Sequence, residues 1–206
     1  MPTHEAGALH AEGGHHGPSW LRPPEDVNAL VPELWARSVL RGDAGALTIA
    51  GLDVREVASE FGTPVYVIDE DDFRSRAREF KQSFGDAFED LCGGADVYYA
   101  GKAFLCTAVV RWIHEEGLHL DVCSGGELTV AIRAGFPAER IGFHGNNKTV
   151  AEIEEALRHG VGRIVVDSFE EIDRVAAAAE RLGVVARVMV RVTVGVEAHT
   201  HEYIAT

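Results

Sequence analysis

A repeating unit that begins near Val97 constrains the fold of this 206-residue chain more than any other feature of its sequence. Each repeat consists of a short apolar run, a polar or glycine-rich loop, an amphipathic stretch and a glycine. Short apolar runs are typical of buried strands, and amphipathic stretches are typical of helices. The pattern predicts five strands, over residues 97–99, 118–122, 141–144, 164–167 and 188–192.

The spacing of these strands predicts a parallel sheet. Their starts lie roughly 21–24 residues apart, which leaves room for one crossover helix between successive strands. Such a chain forms either an open doubly wound sheet or a (β/α)8 barrel. No Gly-x-Gly-x-x-Gly motif follows an early strand, and the evenness of the repeat favours the barrel. A full barrel takes about 250 residues, so we expect an α/β fold with a barrel truncated after about five units.

Helix boundaries are marked by two kinds of residue. Three helices are predicted to begin with a Ser/Thr-x-x-Glu capping box, at Ser124, Thr149 and Ser168. Glycines that can adopt a left-handed conformation are predicted to end the helices. These glycines are Gly117, Gly135, Gly160 and Gly183.

The part of the chain before the repeat is predicted to have two segments. Residues 1–45 are interpreted as a flexible arm with a possible helix over 25–40, and residues 46–70 as a segment with strands at 47–49 and 65–68. A helix over 52–61 is expected to end at Gly62. A further helix over 72–84, followed by Gly85, opens the incomplete barrel of residues 71–206. The arm's histidines, interpreted as a solvated tail and not a metal site, are His4, His10, His15 and His16.

The charge and the cysteine content limit the classes of partner and the cellular compartment that we expect. The formal net charge of −14 argues against nucleic acid or an anionic membrane as a partner, because both require a basic surface. No apolar run reaches the roughly 18 residues that a membrane-spanning helix needs. The three cysteines, an odd number without a Cys-x-x-Cys motif, predict a reducing cytoplasmic location.

Polar residues follow the predicted strands at their carboxyl ends, where parallel α/β folds place their chemistry. Lys102 either reaches solvent or forms a Schiff base through its amine. Asp121 either bonds loop amides or faces a ligand, and His144 is either a core histidine or a pocket residue. Asp167 is interpreted as part of a helix cap. Arg191 alternates with two valines, so it points either into the barrel interior or outward between helices.

Several motifs resemble those of one enzyme family, the fold-type III pyridoxal-phosphate decarboxylases, whose barrel is of the alanine-racemase-like type. Tyr99-Ala-Gly-Lys102-Ala is similar to their Tyr-Ala-x-Lys-Ala motif, and residues 120–128 resemble their Asp-x-x-Ser-x-Gly-Glu motif. Residues 63–69, Thr-Pro-Val-Tyr-Val-Ile-Asp, are similar to the family's segment before the barrel. Phe143-His-Gly-Asn-Asn-Lys148 and residues 190–200 resemble the diaminopimelate decarboxylase branch.

The resemblance implies a cofactor and a reaction. The cofactor would be pyridoxal 5'-phosphate, held by Lys102 as a Schiff base, with Asp121, His144 and Arg191 lining its pocket. The reaction would convert a small amino acid, meso-2,6-diaminopimelate, to L-lysine and carbon dioxide, the last step of lysine biosynthesis, in a homodimer. Activity on arginine, ornithine or carboxynorspermidine stays open, as does a non-catalytic remnant. The resemblance also implies that the phosphate-binding loop, the substrate-binding residues and a C-terminal β-domain lie outside these residues.

Overall fold

A computed structural model of the chain describes residues 26, 28–32, 34–42 and 45–192. They divide into two compact units, with the boundary between Asp69 and Glu70. The histidines of the predicted arm and residues 193–206, which include most of the last family-like segment, lie outside the described residues.

The first unit contains a small antiparallel sheet and one helix. Strand β1 is Leu40–Arg41, β2 is Leu47–Ile49 and β3 is Leu52–Asp53, paired in that order. Helix α1, Val54–Phe61, begins at Asp53, whose side chain accepts a hydrogen bond from the Arg55 amide. It ends at Gly62, as the sequence predicts.

Two predictions in this unit are wrong. The described residues of the 25–40 stretch form turns instead of a helix, because Pro32 removes a backbone donor in the middle of it and disfavours helical geometry at the residue before it. The strand predicted over 65–68 joins neither described sheet, and its Tyr66 side chain is 97% exposed. A short apolar run becomes a strand only where a neighbouring strand supplies its hydrogen bonds.

The second unit alternates helices and strands along the chain. It contains, in order, α2 (Glu70–Cys92), β4 (Tyr98–Ala100), a 3-10 turn (Gly101–Ala103), α3 (Thr107–Glu115), β5 (His119–Val122), α4 (Gly125–Arg133), a 3-10 turn (Ala138–Arg140), β6 (Ile141–Phe143), α5 (Val150–His159), β7 (Arg163–Val166), α6 (Phe169–Leu182) and β8 (Val188–Val190). All five predicted strands are therefore present, with boundaries shifted by one or two residues.

Helix α2 is longer than the sequence predicts. It continues through Gly85 and ends before Gly93, which adopts a left-handed conformation with φ of 78°. Gly85 keeps helical geometry, so it is an interior residue of α2 and does not end the helix. Among the described residues, no helix combines the length and the apolar character that crossing a bilayer requires.

The sheet of the second unit is parallel, and each strand lies beside the next one along the chain. The order is β4-β5-β6-β7-β8. Ala100 pairs with Asp121, and Asp121 pairs in turn with Gly142, so the strands are nearly in step at their carboxyl ends. A doubly wound sheet would reverse its strand order at a switch point. The consecutive order observed here confirms the barrel-type arrangement.

The two faces of this sheet differ in chemistry. One face consists of apolar side chains that are almost fully buried: Leu120, Val122, Ile141, Phe143, Ile164 and Val166. They form one core with side chains from all four crossover helices, including Val110 of α3, Leu128 of α4, Ile153 of α5 and Val175 of α6. Since the four helices share one core on one face, the opposite face is left open, as in the interior of a barrel.

The capping predictions hold with one difference. Ser124, Thr149 and Ser168 each accept a hydrogen bond from the amide three residues later. Only Thr149 forms a full capping box with its glutamate. At the other two caps the glutamate reaches one residue further back, to the amides of Cys123 and Asp167. Both serines have φ of −145°, against −73° at Thr149, which turns their own amides away from the glutamate.

The outer strands of this sheet generate a prediction about the polypeptide by itself. Val188, Met189 and Val190 of β8 are all exposed, and the outward edge of β8 has no partner among the described strands. Exposed apolar edges promote strand pairing between molecules. We expect the 206-residue polypeptide, expressed alone, to self-associate or aggregate, measured by sedimentation velocity and thermal unfolding.

The variant Val188→Lys places a charge on this edge and should reduce self-association. A matched change at an exposed position of α6 outside the groove that Val188 lines, Ala177→Lys, should not. A parent polypeptide that is a monodisperse monomer with cooperative unfolding would contradict the expectation.

Candidate active site

A cavity of about 450 Å³ lies on the open face of the parallel sheet. Side chains alternate along a strand, so every second residue of each strand faces this side. The cavity is lined by Tyr98, Ala100, Asp121, Gly142, His144, Arg163, Val165, Met189, Val190 and Arg191. Three of the four predicted site residues, Asp121, His144 and Arg191, therefore meet at one cavity.

The middle of the cavity is kept open by Gly142. It lies on β6 opposite Asp121 in the strand register. A Cβ atom at this position would come within 3.2 Å of the Tyr98 ring and 3.6 Å of the Asp121 carboxylate. Any other residue would therefore crowd the space between these two side chains.

Asp121 and His144 form the most compact polar pair of the cavity. Asp121 is the third residue of β5, and His144 directly follows β6, where its amide donates to the Val122 carbonyl at 2.7 Å. The His144 Nδ1 atom lies 3.6 Å from the Asp121 Oδ2 atom. Burial raises the pKa of the Asp121 carboxyl above its usual value, while the neighbouring His144 and Lys102 oppose that shift.

Lys102 lies at the rim of the cavity and not among its lining residues. It is the middle residue of the 3-10 turn that directly follows β4, and its side chain is exposed. The Tyr99 hydroxyl donates to the Phe104 carbonyl at 2.9 Å and so bridges this turn. The positive charge of Lys102 opposes the rise that burial causes in the pKa of both Asp121 and Cys123.

Arg191 follows β8 and continues the strand register. Its amide donates to the Val166 carbonyl at 2.8 Å. Its Nη1 atom lies 3.7 Å from the Asp167 Oδ2 atom at the end of β7. Asp167 therefore does more than contribute to a helix cap, because its amide serves the cap and its carboxylate faces the arginine.

Sequence reasoning missed the polar floor of the cavity. The Arg163 Nη1 atom donates to the Tyr98 hydroxyl at 3.0 Å, and Asp96 lies 3.7 Å from Arg163 and 3.4 Å from the His119 Nε2 atom. Burial lowers the pKa of His119. Tyr98, His119 and Arg163 begin β4, β5 and β7, each two residues before a residue of the cavity face (Ala100, Asp121 and Val165), and Asp96 precedes β4. Strand alternation is the signal that could have identified them.

The donor set does not suggest a metal. In the described part of the chain, no three His, Cys, Asp or Glu side chains converge in a way that could hold a metal ion. The cavity instead combines one carboxylate, one imidazole, one phenol and two guanidinium groups, with the amine of Lys102 at its rim. Such a mixture of acid, base and nucleophile suits a small organic ligand with a reactive carbonyl.

Comparisons with known proteins agree with this arrangement. Residues 70–206 match the family model described as pyridoxal-dependent decarboxylase, pyridoxal binding domain. A relative named diaminopimelate decarboxylase, from Mycobacterium leprae, is 53% identical over 208 residues, which cover 100% of this chain and 43% of the relative. Another of that name from Mycobacterium tuberculosis is 56% identical over 177 residues, covering 86% and 38% of the two chains.

A solved structure of similar fold is diaminopimelate decarboxylase from M. jannaschii, with a TM-score of 0.73 and 32% identity. It is matched over 82% of this chain and 39% of that one. The Helicobacter pylori enzyme of the same name, complexed with L-lysine, gives a TM-score of 0.62 at 29% identity over 73% of this chain and 36% of that one. The chain spans about two fifths of the length of the curated relatives it matches.

The partly buried Asp121 carboxyl generates a prediction about stability and pH. A carboxyl whose pKa is raised in the folded protein holds its proton more tightly there than in the unfolded chain, so folding stability falls as pH rises through that range. We expect the melting temperature of Asp121→Asn, relative to the parent, to rise with pH from about 4 upward, beginning near the ordinary aspartate pKa of about 3.9.

The measurement is thermal unfolding of the full-length protein and its variant in a series of buffers. The difference between the two melting temperatures isolates this residue from the other carboxyls. A difference that shrinks with rising pH would show that the charged neighbours outweigh burial at Asp121.

Proposed function

Because the chain belongs to the family of pyridoxal-dependent decarboxylases, we propose that it forms the cofactor-binding part of an enzyme that decarboxylates meso-2,6-diaminopimelate to L-lysine. The observation that carries the proposal is the position of Lys102 at the end of β4, beside a cavity that holds Asp121, His144 and Arg191. These residues stand in the motifs that resemble the family.

The residues present fit pyridoxal 5'-phosphate. A volume of about 450 Å³ lies within the range of small-molecule sites, and Gly142 leaves an open space where a side chain would intrude. The exposed amine of Lys102 can reach a carbonyl carbon. Asp121 and Arg191, which lie three strands apart, supply opposite charges that can contact the polar groups of the cofactor ring.

The side chains of this chain would have distinct roles. Lys102 would hold the cofactor through a covalent bond from its Nζ atom. When bound, the cofactor supplies an electron sink for the electron pair that departing carbon dioxide leaves behind. The Nζ atom of Lys102, when not engaged in that bond, would be placed to carry a proton to the reacting carbon. Asp121 and His144 would orient the ring from one side of the cavity, and Arg191 from the other.

The identity of the substrate rests on the relatives. The chain is 53–56% identical to proteins named diaminopimelate decarboxylase, and the segment Phe143-His-Gly-Asn-Asn-Lys148 is of their type. We therefore favour this substrate over arginine, ornithine or carboxynorspermidine. The assay that decides is release of carbon dioxide and formation of lysine by the full-length enzyme, with the other amino acids as competing substrates. Activity on one of these and none on diaminopimelate would overturn the choice.

Two further features belong to the proposal. We infer that the full-length protein is a homodimer, on the basis of the family resemblance. We also infer a cytoplasmic location, which is supported by the three free thiols Cys92, Cys106 and Cys123. Sedimentation of the full-length protein and fractionation of cells test these two inferences.

The assignment of Lys102 gives a direct chemical prediction. Borohydride reduction of the full-length enzyme loaded with pyridoxal phosphate should attach the label to Lys102, because its amine is exposed at the cavity rim. Lys102→Ala should lose the visible absorbance of bound cofactor, whereas Lys81→Ala, at an exposed lysine of α2, should retain it. Peptide mapping locates the label, and a label on Lys81 or Lys148 would refute the assignment.

The position of Arg191 gives a second prediction. Arg191→Lys should weaken cofactor binding by about tenfold, equal to about 1.4 kcal/mol, because an ammonium lacks the planar fork of a guanidinium. The matched control is Arg181→Lys on α6, where an exposed arginine pairs with Glu154 at 2.6 Å far from the cavity lining. Equilibrium dialysis against pyridoxal phosphate measures both. Equal affinities for the two variants would place Arg191 outside the cofactor site.

A further inference from the structure

A buried ion pair lies at the carboxyl end of the sheet, near the candidate site. Lys148 is 2% exposed and Glu171 is 3% exposed, and they are the two charged residues that are buried among the described ones. The Lys148 Nζ atom lies 2.9 Å from the Glu171 Oε1 atom. Neither residue lines the cavity, and neither has a role in the proposed reaction.

The lysine uses all three of its donors. Its Nζ atom donates to the carbonyl oxygens of Gly145 and Val165, the second at 2.7 Å, in addition to Glu171. Gly145 lies in the loop after β6, and Val165 lies in β7. Lys148 thus ties the loop that begins with His144 to the neighbouring strand.

The same loop is held from its other side by β5. Gly145 has φ of 108°, and a Cβ atom there would lie 2.8 Å from the Cys123 carbonyl oxygen. The loop backbone therefore lies pressed between the end of β5 and the Lys148 ammonium. His144, one residue earlier, is kept 3.6 Å from Asp121 by this packing.

Glu171 extends the connection toward Arg191. Its Oε2 atom accepts a hydrogen bond from the Asp167 amide at 3.2 Å. The Asp167 carboxylate in turn lies 3.7 Å from the Arg191 guanidinium. One ion pair thus joins the loop after β6 to the end of β7, and through Asp167 to the residue that follows β8.

We propose that Lys148 and Glu171 are positioning residues that set the places of His144 and Arg191 in the cofactor site. The inference rests on the proposed function. A buried ion pair is a weak source of stability, because removing two charges from water offsets most of their attraction, and an apolar pair of similar size is often as stable. What an apolar pair does not provide is a donor for the Gly145 and Val165 carbonyls or an acceptor for the Asp167 amide.

The test compares single and double variants in the full-length enzyme. Lys148→Met leaves an unpaired carboxylate, so it should lower both stability and activity. Lys148→Met combined with Glu171→Gln carries no buried charge, so it should recover part of the lost melting temperature. It still lacks the lysine donors, so kcat should stay reduced by about 100-fold, the scale of a misplacement of about 1 Å in an active site.

A second readout does not depend on activity. Hydrogen–deuterium exchange of the amides at 145–148 should be faster in the double variant, while amides of helix α5 keep the parent rate. Val175→Ala, a buried position one turn after Glu171 on α6, is the matched control for stability. It should lower the melting temperature without changing exchange in the loop or reducing kcat by more than about twofold, because it removes no contact of Lys148.

Each outcome separates the two proposals. A double variant with parental kcat and parental loop exchange would overturn the positioning role. A parent enzyme without decarboxylase activity would overturn the proposed function. In that case, unchanged exchange at 145–148 in the double variant would still refute the positioning role of Lys148 and Glu171.

Discussion

The burial of one face of a parallel sheet is the constraint on which the rest of this structure depends. Residues such as Leu120, Phe143 and Val166 must face the helices, because burying their apolar area is the main favourable contribution to folding. Side chains alternate along a strand, so their neighbours are forced to the opposite face. Asp121 and Gly142 are placed on the open side in this way, and His144 follows them there. The polar cavity is thus a geometric consequence of the apolar core.

The candidate site has a second requirement, which is that the polar side chains at the strand ends be held in precise positions. Asp121, His144 and Arg191 lie in or just after three different strands, so no single strand sets their relative positions. Buried polar contacts hold them instead. The Lys148 ammonium and the Glu171 carboxylate connect the loop after β6 to the end of β7, where both groups are shielded from water and hydrogen bonds are correspondingly stronger. The site therefore combines a rigid apolar layer with a small polar framework at its upper edge.

The sequence predicts local features such as helix ends better than contacts between residues that are far apart in the chain. Helix starts at Thr149 and ends such as Gly160 were predicted correctly, because capping involves residues within one turn of each other. The stretch over 65–68 was predicted as a strand from its own pattern, yet strand formation requires a partner that a local pattern does not contain. Tyr98 and Arg163 were missed for a related reason, since their contact joins residues 65 positions apart.

The sequence by itself determined the class of this protein: five strand–helix units, a barrel-type order, the family, and a lysine at a strand end. Each of these follows from spacing and residue type, which are properties of the chain alone. Tertiary structure alone decided which polar residues meet. Asp121 and His144 come together because adjacent parallel strands bring their carboxyl ends to one edge, and Lys148 finds Glu171 only after β6 and α6 have packed on the same sheet. The pairing of buried charges depends on three-dimensional enclosure, because that enclosure removes the water that would otherwise solvate each charge separately.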